Sequence, residues 1–133
     1  MKKSLFLAVA MLVSGSVFAT TDHYVLRNDS HIHHLKITTV KGEVTVSTDV
    51  DFEPTAAETG REACTADVSG EAKAVSANEI VLRKHLVGEK AVCELKIHLT
   101  PTGATIDQSE GCTNFAAGIC HFTSDGKELV KIQ

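Results

Sequence analysis

The sequence predicts an all-β fold, a small antiparallel β-barrel or sandwich of about eight strands stabilised by two disulfides. Three observations carry that expectation. Residues 91–99 alternate, with Ala91, Cys93, Leu95, Ile97 and Leu99 on one face and Glu94, Lys96 and His98 on the other, which is the period of a half-buried strand. Comparable stretches recur at hairpin spacing, separated by turn residues and without a long helical period. Four cysteines, Cys64, Cys93, Cys112 and Cys120, stand in a chain of 133 residues, enough to staple a modest core.

The first nineteen residues read as a secretory leader. Lys2 and Lys3 supply a positive start, residues 5–13 an apolar run, and Val17-Phe18-Ala19 a small-x-small cleavage site. A cut after Ala19 leaves residues 20–133 as a single exported β-domain. No later apolar run is long enough to span a bilayer, so no membrane insertion is expected. The expected compartment is oxidising, most simply a bacterial periplasm. Of the 13 basic residues, Lys2 and Lys3 leave with the leader, so 11 face 17 acidic ones and the net charge is −6. That surface argues against nucleic acid as a partner and suits a cationic protein, whose encounter complementary charge speeds.

In chain order, residues 24–26 form a short first strand and 28–30 a turn. Residues 32–40 place His33, Leu35, Ile37 and Thr39 on one face and His34, Lys36 and Thr38 on the other. Lys41-Gly42 turns tightly into 43–52, where Val44, Val46, Val50 and Phe52 share a face. Residues 53–62, with Pro54 and Gly60, form a loop. Residues 64–75, which contain Gly70, read as an irregular or bulged strand. A turn at 76–78 leads to a strand at 79–87, and 88–90 connects it to 91–99. Short strands at 105–107 and 119–123 follow. Asp125-Gly126 then turns into the last, 127–132.

Three pairings of four cysteines are open. The local one, Cys64–Cys93 with Cys112–Cys120, is favoured; its two loops would stabilise by roughly 3.5 and 2.5 kcal/mol on the chain-entropy model. No C-x-x-C pair exists to suggest structural zinc or disulfide exchange.

Chemistry-bearing residues are few. His31, His33 and His34 cluster near the start of one strand. His31 and His33 lie on one side, about 7 Å apart, and neutral imidazole suits zinc or copper. A metal-binding protein is therefore one expectation, with a third ligand required from elsewhere; otherwise no cofactor is expected. No nucleophile elbow, phosphate loop or zinc-protease helix is present, so the expected class is not an enzyme. A binding role remains, with Phe115 at the tip of a loop held between Cys112 and Cys120 and its ordering cost already met. A cell-envelope accessory protein without a ligand is the third class.

Residues Ser69-Gly70-Glu71-Ala72-Lys73, in a small exported chain of hairpins with paired cysteines, resemble the Ser-Gly loop of the periplasmic β-barrel proteins that inhibit lysozymes. The resemblance implies a lysozyme or another cell-wall hydrolase as partner. It further implies that Ser69 and Lys73 contact the enzyme's catalytic carboxylates and that inhibition is by steric occlusion. Glu71 and Ala74 depart from the pattern, where a small residue and an aromatic are usual.

Overall fold

A computed structural model describes residues 19–28, 30–53, 63–85, 92–114 and 120–132. The leader, the 53–62 loop beyond Glu53, the 88–90 connection and Phe115 lie outside the described residues. Eight strands run β1 (Thr20–Asn28), β2 (His31–Val40), β3 (Glu43–Phe52), β4 (Cys64–Ser76), β5 (Glu79–His85), β6 (Val92–Leu99), β7 (Gly103–Gln108) and β8 (Leu129–Lys131), with one 3-10 turn at Glu110–Asn114. Each strand pairs antiparallel with the next, and β8 returns to β1 to close the barrel.

Alternation builds the barrel wall. On β2 the inward residues His33, Leu35 and Ile37 are buried, and on β3 so are Val46, Thr48, Val50 and Phe52. Leu82, Cys93, Leu95, Ile97, Ala104, Ile106, Phe122 and Leu129 complete an interior shielded from water. The outward positions carry Lys36, Asp49, Asp67, Glu71, Lys73 and Lys96. Apolar inside and charged outside is the reverse of a transmembrane barrel. Among the described residues, no helix is long and apolar enough to cross a membrane.

The β2–β3 hairpin turns on Lys41 and Gly42, both at positive φ (51° and 81°). A two-residue turn of this hand matches the strand twist. The irregularity expected in the 64–75 strand lies between Ala74 and Ser76. Gly70 itself is in regular register with Val46, and the first strand is longer than its residue pattern indicated.

The expected strand at 119–123 does not form over its described part, 120–123. The Phe122 and Thr123 N–H groups donate to Gln108 Oε1 at 2.6 and 3.1 Å, and Ser124 N–H donates to the Ile106 carbonyl. A side-chain amide thus takes donors that a ladder would use. Asp125-Gly126 still turns, with φ of 53° and 79°. Beyond it, Glu128 accepts from Thr100 Oγ1 (2.6 Å) and Thr102 Oγ1 (2.7 Å). These bonds fasten the short β8 at the seam.

The disulfides join Cys64 to Cys120 and Cys93 to Cys112, which corrects the local pairing. Cys64 opens β4 and Cys93 lies on β6, with β5 between them. Two interstrand spacings come to about 9.5 Å, beyond the reach of one bridge. Ser109 N–H donates to the Glu94 carbonyl, and Ser109 Oγ accepts from Glu94 N–H, both at 2.9 Å. The 3-10 turn that follows therefore lies on β6 and brings Cys112 to within 4.1 Å of Cys93, Cα to Cα.

Candidate functional site

Ser69 and Lys73 both face outward on β4 and are exposed. They do not lie on a protruding loop, as the resemblance implied. Ser69 pairs with Ser47 on β3 and Lys73 with Val81 on β5, so both sit in mid-strand. The loop geometry is thereby corrected, because their main chain is committed to the sheet.

The first half of β4 pairs with β3 and its last residues with β5. The two edges of the strand are thus paired over different lengths, with a register shift between Ala74 and Ser76, and concave ground lies on the outer wall beside it. One cleft of about 530 Å³ is lined by Glu71, Ala72, Lys73, Val75, Val81, Arg83 and Glu94. Ala72, Val75 and Val81 give its lining an apolar part, and Val75 is 58% exposed. Its rim is charged: Arg83 pairs with Glu94 at 3.3 Å, at the surface. A second cleft, beside the β2–β3 turn, shares Glu71, Ala72 and Lys73 and adds Gly42, Glu43, Val44 and Ala74. Lys73 stands on the ridge common to both. An apolar strip framed by opposite charges can seat a protein surface. The sequence pattern pointed to Lys73 but not to Val75, Val81, Arg83 or Glu94, whose convergence follows from register across three strands.

The proposed metal trio is divided by the pleat. His33 points into the barrel and is 4% exposed, while His34 points out. The His31 ring lies 6.3 Å from His33 and 4.6 Å from Phe52, centroid to centroid. One ion cannot collect nitrogens from both faces of a strand, so His31, His33 and His34 do not make a common site. Among the described residues, no group of three or more His, Cys, Asp or Glu is gathered to hold a metal. Burial, then His121 and His31, push the His33 pKa down to about 4, against a smaller pull from Asp125. Its Nδ1 has no hydrogen-bond partner, while His121 Nε2 bonds Asp125 Oδ2 at 3.0 Å. His34 meets His23 instead, ring nitrogen to ring nitrogen, at 3.2 Å. His23 carries no local motif; the hairpin register alone brings it there.

No protein-family model matches the chain, and neither the curated proteins nor the solved structures contain a match.

Proposed function

We propose that this is an exported binding protein that blocks a cell-wall hydrolase, most sharply a lysozyme, by covering its cleft. The observation that carries the reading is the outer face of β4–β6, where exposed Val75 and Lys73 sit in a charged-rimmed concavity on a stapled barrel. Recognition there uses a rigid strand face rather than an inserted loop, so little conformational entropy is lost on docking. Lys73 supplies a cation for the partner's carboxylates, and the net negative charge of the domain steers a cationic enzyme to it. Export is supported by β1 beginning at Thr20, directly after the small-x-small site, and by the absence of free cysteines among the described residues.

The test is lysis of bacterial cells by vertebrate-type, goose-type and invertebrate-type lysozymes in the presence of the purified domain. Near-stoichiometric inhibition of one type, weakened by Lys73→Glu or Val75→Asp, is expected. Lysis unaffected for all three types rejects lysozyme as the target.

A further inference from the structure

The outer wall of the β1–β2 hairpin holds a second arrangement that protein binding does not use. Val25 pairs with His34 and His23 with Lys36, so His23 and His34 are diagonal neighbours on the outward face. His23 Nε2 and His34 Nδ1 approach to 3.2 Å, with centroids 5.4 Å apart and planes tilted by 31°. Two imidazole nitrogens on one tetrahedral zinc stand about 3.3 Å apart, and on a square-planar ion about 2.9 Å. The observed separation falls between these values. Both rings are half-buried, so the wall restricts their freedom before any ligand arrives.

The surroundings favour a cation. Asp49 is the in-register partner of His34 on β3, and Asp67 that of Asp49 on β4, so two carboxylates continue the row. Burial, then His34 and Lys36, lower the His23 pKa, and Asp49 opposes them. Lys36, beside His23, is the one opposing charge in this set.

We propose that His23 and His34 form a two-imidazole site for a divalent transition-metal ion, copper(II) in preference to zinc, with water completing the coordination and Asp49 as a negative neighbour. In the metal-free pair one ring donates its N–H to the other's lone pair. When the ion binds both nitrogens, the donor ring carries its hydrogen on its other nitrogen instead. No proton is released in this exchange, because the hydrogen only moves between the two nitrogens of one ring.

Copper(II) chloride and zinc chloride, titrated separately into the intact protein at pH 7.5, test the site by calorimetry. Histidine 15N spectra with zinc identify the rings. One equivalent is expected to bind, with copper tighter, and His23 and His34 alone should change their ring shifts. His23→Ala and His34→Ala should each weaken binding at least about tenfold, while His31→Ala leaves it unchanged. Both substituted rings lie on the outer wall, and unchanged thermal unfolding verifies that each variant is folded. Absence of binding, binding that survives the His23→Ala/His34→Ala double change, or shifts confined to other histidines overturns the site. None of these results bears on lysozyme inhibition.

Discussion

Lowering the pH should unfold this barrel from the inside, through His33. Its ring is buried among β2, β3 and the 120–125 segment, facing His31 and, through the field, His34, His121 and Asp125. Its pKa falls from an ordinary 6.5 to about 4 in the folded protein. A depressed histidine pKa means that the unfolded chain binds the proton more readily. The folded state is therefore favoured fully above pH 6.5, and this contribution is lost as pH falls toward 4. That difference corresponds to roughly 3 kcal/mol at the acid limit, of which about 2 kcal/mol is gone by pH 5. Carboxylates also titrate there, so the informative quantity is wild type minus His33→Leu. Leucine fills a similar volume and removes the unpartnered Nδ1, so the variant should match or exceed wild-type stability at pH 7. Urea unfolding at pH 7, 6, 5 and 4.5 should show the variant gaining about 2 kcal/mol on wild type between pH 7 and 5. A difference that stays constant with pH would refute the reasoning.

Four further outcomes follow from the staples, the seam and the β2–β3 turn. The cysteines of Cys64–Cys120 and Cys93–Cys112 are 56 and 19 residues apart, giving about 4.2 and 3.2 kcal/mol respectively on the chain-entropy model. Replacing both cysteines of the first pair by serine should therefore cost more than replacing the second, measured by denaturant unfolding. Peptide mapping without reduction should recover these two pairings; a Cys64–Cys93 peptide contradicts the barrel. Gly103→Ala places a Cβ against the Leu129 carbonyl oxygen, forcing β8 off β7, and should cost more than about 2 kcal/mol. Gly42→Ala meets no neighbour but is held at φ 81°, so it should cost only about 1 kcal/mol; thermal unfolding separates the two.

The strands were legible because alternation is local. Leu35 and Ile37 against Lys36, or Leu95 and Ile97 against Lys96, declare their faces without knowledge of any partner strand. Lys41-Gly42 declared its turn in the same way. The pairing of Cys93 with Cys112 was hidden, because it depends on Ser109 folding onto Glu94 across the β6–β7 register. Residues 119–123 read as a strand by composition, yet the Gln108 side chain captures the Phe122 and Thr123 backbone donors. His33 and His34 look like one cluster in the sequence, but the pleat places them on opposite sides of the wall. His23 and His34 meet only once the hairpin sets their register. Lys73 was picked out by a five-residue pattern, whereas the cleft around it needs β4, β5 and β6 together.

The most direct test of the account is a 15N chemical-shift map of the domain against each of the three lysozyme types. One type should shift or broaden Lys73, Val75, Val81 and Arg83 on the β4–β6 face at one-to-one stoichiometry. Binding that leaves this face unperturbed, or the absence of binding to every type, would contradict it.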